Sequence, residues 1–282
     1  MPGAEPSLTE HGDGITAIDT DLLRPQFDAC HLVTAGERAA FVDSGVNASV
    51  PLFLATLEQK GIDPAAVDYL FLTHVHLDHA GGAGLLMQSL PNAKAVLHPR
   101  GAPHMIDPDK LIRGAMAVYG EDAYRAMYGD ILAIPEDRVI VAEDRQTFTF
   151  GGRSFVSVFT EGHARHHHCF HDPDSASVFT GDSFGLSYRE LDTEQGEFIY
   201  PTTTPVHFDP PEAHRAIDTI LSFEPEQLFL THYSRVTDID RLAGDLHKRI
   251  DDFVGMAERH ARDEQRTAAI HELSLIHISE PT

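Results

Sequence analysis

Lysine is scarce in this chain. Lys60, Lys94, Lys110 and Lys248 are the full set in 282 residues, and Asp plus Glu outnumber Lys plus Arg by 44 to 21, for a formal net charge of -23. So acidic a chain repels phosphate backbones, which argues against nucleic acid as a partner. Cysteine is rarer still. Cys30 and Cys169 make no disulfide framework and fit a reducing cytoplasm. Cys169 reads as a small buried residue, not a nucleophile. No apolar run approaches the length of a membrane span. Met1 to Gly14 has neither the basic start nor the apolar stretch of a signal peptide. These absences predict a cytoplasmic protein that acts on a small molecule, away from membrane and nucleic acid. They leave the oligomeric state open, a homodimer included.

Histidine is plentiful, with 19 residues, and hydrophobic content of 42% is enough to fill a core. The densest chemistry lies in Thr73-His74-Val75-His76-Leu77-Asp78-His79-Ala80-Gly81-Gly82. An apolar run, Val67 to Leu72, precedes it and reads as a buried strand. Ala80 to Leu90 follows and reads as a helix. His74 and His76 are two apart, so on extended backbone they point the same way. Asp78 and His79 lie where the chain turns into the helix and can face a second point nearby. Imidazole with carboxylate suits zinc and related divalent ions.

This H-x-H-x-D-H motif resembles the signature of the metallo-β-lactamase superfamily. Further motifs look like that family's and occur in its order: Phe41-Val42-Asp43-Ser44-Gly45 upstream, then Thr160-Glu161-Gly162-His163, Phe179-Thr180-Gly181-Asp182 and Leu230-Thr231-His232. The resemblance covers roughly residues 14 to 250. It implies an α/β fold, the αββα four-layer sandwich. It assigns His74, His76 and His163 to one metal ion and Asp78, His79 and His232 to another, with Asp182 bridging both. The implied cofactor is two divalent metal ions, zinc foremost, with iron or manganese as alternatives.

Such a pair lowers the pKa of bound water from about 15.7 to near 7 and so supplies a nucleophile at neutral pH. The resemblance therefore implies a metal-dependent hydrolase with Asp78 and Asp182 as catalytic residues. It points to ester, thioester or lactone-like substrates, near the glyoxalase II and lactonase members. Gly162-His163-Ala164-Arg165-His166-His167 departs from the Pro-Gly-His-Thr-Pro-Gly-His of glyoxalase II, which argues against that enzyme itself. Two alternatives share the fold: a mononuclear-iron persulfide dioxygenase and a phosphodiesterase. Tyr188, Tyr200 and His167 are candidate substrate contacts. His166, His167 and His168 exceed what seven ligand positions need, and metal-bound imidazoles require partners for their other nitrogen. One of the three is expected to serve that purpose and another to face the substrate.

The rest of the chain fits one domain over residues 1–272, with the fold starting just after Gly14. Ile15 to Ile18, Cys30 to Thr34, Ala39 to Val42 and Ala95 to Leu97 read as strands, and Val50 to Gln59 as a helix. Residues 99–135 carry Met105, Met116, Tyr119, Tyr124, Met127 and Tyr128 and no strand pattern. They read as a helical insertion, expected to act as a lid over the site. A second strand series starts at Val139 to Ala142 and continues through Thr147 to Phe150 and Ser154 to Thr160, with Gly151-Gly152 as a hairpin turn. Ser183 to Pro211 is a long loop, and residues 237–265 form a closing helix. Residues 273–282, Leu273 to Thr282, look like a translated adapter rather than native sequence and are set aside.

Overall fold

Alternating apolar side chains build two sheets with one Phe-rich layer between them. The computed structural model describes residues 5–203, 207–262 and 266. The first sheet runs in chain order: β1 (Leu8–Gly12), β2 (Ile15–Asp19), β3 (Ala29–Ala35), β4 (Arg38–Val42), β5 (Val67–Phe71), β6 (Lys94–Leu97) and β7 (Val139–Val141). β1 to β4 are antiparallel, and β4 to β7 are parallel. The second sheet comprises β8 (Thr147–Phe150), β9 (Arg153–Phe159), β10 (His168–Asp172), β11 (Ser177–Gly181), β12 (Gln227–Leu230) and β13 (Ser234–Val236). Among the described residues its one parallel pair is β11 with β12.

Between the sheets Phe71, Phe148, Phe150, Phe155, Phe170, Phe179 and Phe229 pack with Ile15, Val33, Val42 and Val96. Phe71 and Phe170 have ring centroids 4.8 Å apart across that layer. The outer face of the first sheet is covered by α1 (Val50–Gln59), α2 (Leu77–Ala80) and α3 (Ala83–Ser89). Between β6 and β7 lie α4 (Ala102–Ile106), α5 (Asp109–Tyr119) and α6 (Glu121–Tyr128). The outer face of the second sheet is covered by α7 (Pro210–Leu221) and α8 (Ile239–Arg259) through Val158, Val178, Leu228 and Leu230. Period two accounts for this division: in β11 Phe179 points inward while Val178 points to the helices. The result is an αββα sandwich.

Four details differ from the sequence expectation. The sheet begins at β1, before Gly14. Leu-Thr-Glu-His-Gly has one apolar residue and lies at a largely exposed edge, so no alternation marks it. Val139 to Val141 belongs to the first sheet, because it returns parallel to β6 after the helical insertion. The helix expected over Ala80 to Leu90 is split into α2 and α3. There the Gly82 N–H donates to the Gly45 carbonyl at 2.8 Å, and a Cβ on Gly82 would lie 2.6 Å from the Ser44 carbonyl oxygen. The loop after β4 needs that space. The closing helix ends at Arg259, while the expected tail at 273–282 lies outside the described residues. No helix among the described residues is long and apolar enough to cross a membrane.

Candidate metal centre

The seven expected donors converge at one edge of the sandwich, beyond the C-terminal ends of β5, β9, β11 and β12. The segment after β5, a short loop running into α2, delivers four of them within six residues. His163 follows β9, Asp182 follows β11 and His232 follows β12. Ligand atoms of His74, His76 and His163 all lie within 4.8 Å of one another, as do those of Asp78, His79 and His232. In the first set, His76 Nδ1 is 2.8 Å from His74 Nε2 and 3.0 Å from His163 Nε2. In the second, Asp78 Oδ2 is 3.8 Å from His79 Nε2 and 3.6 Å from His232 Nε2. Asp182 joins the two. Its Oδ1 lies 3.4 Å from His79 Nε2 and 3.6 Å from His232 Nε2, and its Oδ2 lies 3.4 Å from His163 Nε2.

These side chains fit metal ions. His79 Nε2 and Asp182 Oδ1 are buried with no hydrogen-bond partner, an arrangement that costs about 1–3 kcal/mol per atom unless something else satisfies it. Imidazole nitrogens gathered at 2.8 and 3.0 Å present lone pairs toward one point, which a shared cation would satisfy. The donor set of imidazoles and carboxylates suits zinc, iron or manganese.

Behind four of the five imidazole donors another group fixes the orientation, as imidazole ligands require. His79 Nδ1 donates to Asp43 Oδ2 at 2.9 Å. His163 Nδ1 donates to the Thr202 carbonyl at 3.2 Å. His232 Nδ1 donates to the Phe27 carbonyl at 3.0 Å and lies 3.3 Å from Asp28 Oδ1. His74 Nδ1 meets Thr73 Oγ1 at 3.2 Å. Asp43 is the hub of this support. Besides His79 it accepts from the Thr73 N–H at 2.8 Å, from the Thr73 hydroxyl and from the Thr231 hydroxyl at 2.9 Å. One buried carboxylate thus braces the ligand-bearing segments that follow β5 of the first sheet and β12 of the second.

Electrostatics divide the set. Burial, then the neighbouring imidazoles, holds His74 well below the usual 6.5. Burial with His163 brings His76 down to about 3. Burial also lowers His163, although Asp182 opposes it. Burial acts on His79 and His232 in the same sense but loses. Asp182, Asp78 and Asp43 push His79 well above 6.5, and Asp182, Asp78 and Asp28 push His232 to about 9. Asp78 and Asp182 sit below the ordinary carboxylate range: burial would raise them, but the imidazoles around them prevail. Burial raises Asp28 to about 7 against the pull of His232.

The three candidate substrate residues separate. Tyr188 stands beside the second set, its ring 6.2 Å from that of His232 and stacked on Phe27 at 5.5 Å. Tyr200 turns instead to α8 and packs edge-on against Phe253 at 5.2 Å. His167 is fully buried with both nitrogens engaged. Its Nε2 accepts from the Asp182 N–H at 3.1 Å, and its Nδ1 meets the Thr160 and Ser183 hydroxyls at 3.0 Å. It therefore holds Asp182 in place and is closed to substrate. Gly181, at φ +50°, allows this, since a Cβ there would lie 2.7 Å from His167 Nε2. His168 spans the sheets, from Ser157 Oγ to the Leu72 carbonyl. His166 borders the first set, 5.4 Å ring to ring from His76. Cys169 is buried and its thiol is pushed up to about 12 by burial, as a packing residue would be. The sequence reading missed Asp28, Thr202 and Thr231. Asp28 stands directly before an apolar strand, a placement that flags a buried carboxylate. The Thr202 carbonyl leaves no such mark.

A family model described as the metallo-beta-lactamase superfamily matches residues 23–232, a span that holds all seven donors. The chain belongs to the metallo-beta-lactamase superfamily. Within it, the chain is 30% identical over 186 residues to the metallo-beta-lactamase fold-containing protein of Sulfurisphaera tokodaii, covering 64% of each. It is 31% identical over 117 residues to the atrochrysone carboxyl ACP thioesterase of Aspergillus fumigatus, covering 42% of this chain and 27% of that one. It is 28% identical over 117 residues to an N-acyl homoserine lactonase of Azorhizobium caulinodans, covering 42% and 40%. The chain thus matches less than two thirds of the length of these superfamily relatives. Among solved structures, an archaeal superfamily protein from Sulfolobus tokodaii has a TM-score of 0.70 at 24% identity, over 86% of this chain and 87% of that one. A flavodiiron core from Synechocystis has a TM-score of 0.63 at 16% identity, over 91% and 63%. At these identities the structural likeness shows the superfamily fold.

Proposed function

We propose that this protein is a hydrolase that holds two divalent metal ions, zinc foremost, and cleaves an ester, thioester or lactone-like small molecule. The observation that carries this reading is Asp182, whose two carboxylate oxygens face different donor sets. The chemistry that a pair of ions held there would supply is polarisation of a carbonyl oxygen and a water pKa brought from about 15.7 to near 7. His74, His76 and His163 would hold one ion, and Asp78, His79 and His232 the other. Asp78 is the most open carboxylate of the cluster, with a side chain 28% exposed against 7% for Asp182. It orients the attacking water and takes its proton at the free carboxylate oxygen. Tyr188 and Phe27 wall the second side and keep bulk water from the acyl group.

The thioesterase and lactonase among the relatives support acyl chemistry. The net charge of -23 disfavours a nucleic-acid phosphodiester. A dioxygenase with one iron needs fewer donors than the seven that converge here. The test offers thioester, lactone and phosphodiester probes to wild type and to Asp182→Ala. Turnover of an acyl probe by wild type, reduced about 100-fold or more in the variant, is the expected result. Equal turnover in both would refute the reading.

A further inference from the structure

The two donor sets differ in what stands behind their histidines. His74 leans on the hydroxyl of Thr73 and His163 on the carbonyl of Thr202, both neutral. His79 leans on the carboxylate of Asp43. His232 has two candidate partners at Nδ1, the Phe27 carbonyl at 3.0 Å and Asp28 Oδ1 at 3.3 Å. Phe27 already satisfies the single N–H, so Asp28 is not needed as an acceptor. It is nevertheless fully buried. Its Oδ2 accepts from the Thr20 hydroxyl at 3.3 Å, while Oδ1 has no hydrogen-bond partner. Burying such a carboxylate is costly unless a charge compensates it. Among the described residues the compensating charge comes first from His232 and then from His79.

We propose that Asp28 is a positioning residue for the second ion, acting through His232: its unpartnered Oδ1, 3.3 Å from His232 Nδ1, makes that imidazole a stronger donor and turns it toward Asp78 and Asp182. The proposal rests on the two-ion reading above. A carboxylate behind a ligating imidazole fixes the ring, selects the tautomer and raises ligand basicity. With Asp28 behind His232 and Asp43 behind His79, both imidazoles of the second set are backed by carboxylates. Neither the Thr73 hydroxyl nor the Thr202 carbonyl supplies that charge to the first set. The second ion is therefore the more tightly held, and Asp28 is one of the two groups that make it so. Thr20 pins the carboxylate through Oδ2. Thr20 and Asp28 are further joined by the Thr20 N–H, which donates to the Asp28 carbonyl at 3.0 Å.

Asp28→Asn keeps the shape of the side chain and removes its charge. Zinc content is measured by equilibrium dialysis against graded free zinc, with kcat and KM on the best acyl probe alongside. Wild type should hold two zinc ions per chain. Asp28→Asn should lose one of them with affinity about 10–100-fold weaker, keep the other unchanged, and show lower kcat at similar KM. Should Asp28→Asn fail to fold, Thr20→Val leaves the charge but frees the carboxylate to turn, and a smaller loss of the same ion is expected. Two ions held as tightly in the folded variant as in wild type would overturn the role of Asp28 and leave the two-ion reading intact. One ion in wild type would overturn both. Equal weakening of the two ions would reduce Asp28 to general packing and also refute the proposal.

Discussion

The two sides of the metal centre use the same side chain under opposite conditions. His76, on the first side, sits among other imidazoles and is held at about 3. His232, the more enclosed of the two, sits among carboxylates and rises to about 9. Burial lowers both, so the difference comes from the neighbours. The first side is a set of neutral imidazoles that awaits a cation. The second carries its own negative charge and holds protons until a cation replaces them. The two halves of one cluster are therefore unlike, and the difference is set first by Asp182 and Asp78, which are themselves donors of the cluster, and then by Asp43 and Asp28 behind them.

The sharpest way to break this contrast is at Asp43. Asp43→Ala removes the acceptor for His79, Thr73 and Thr231 and leaves a cluster of buried donors unpaired. The expected cost is about 3–5 kcal/mol of stability, read by urea unfolding, together with loss of zinc from the second side. Equal loss from both sides would show that the hub serves the centre as a whole. Acid stability of the metal-free protein comes next. His31, His76 and His168 are each held near 3 by burial. Their depressed values mean the unfolded chain binds protons first, so their contribution is present above 6.5 and is lost as pH falls from 6.5 toward 3. Each pH unit of displacement is worth about 1.4 kcal/mol, and the midpoint urea concentration should drop across that window. His232 acts in the reverse sense. Its raised value stabilises the metal-free fold below 6.5, and that contribution is lost as pH rises through about 9.

Zinc binding should split along the same line. On the second side zinc displaces protons, so its apparent affinity should climb about tenfold per pH unit per proton up to about 9. On the first side, where burial lowers all three imidazoles, it should change less over the same range. Dialysis at several pH values measures both, and parallel slopes would erase the contrast. The smallest effect belongs to Tyr188→Ala. It should raise KM for bulky acyl probes by about 1 kcal/mol, or fivefold, without changing zinc content.

How much of this was legible in the sequence follows from the same physics. His74, His76, Asp78 and His79 announce themselves because one loop must aim all four, and close spacing is visible in a linear string. His163, Asp182 and His232 were legible through their motifs and their places after apolar strands. The supporting groups were less so. Thr202 acts through a backbone carbonyl, and Asp28 reaches His232 across 204 positions of sequence, so no local pattern encodes either contact. His167 looked like a substrate contact because an extra histidine near a site invites that reading. Only the packing of Thr160, Ser183 and the Asp182 N–H around it shows that both nitrogens are taken. β1 escaped notice because an exposed edge strand needs no apolar alternation.

The central claim is that seven side chains hold a pair of ions across Asp182. Anomalous scattering from crystals of the zinc-loaded protein tests it most directly. The account predicts one peak among His74, His76 and His163 and one among Asp78, His79 and His232, both in contact with Asp182. A single peak at full zinc loading and full activity, or a second peak away from Asp182, would contradict it.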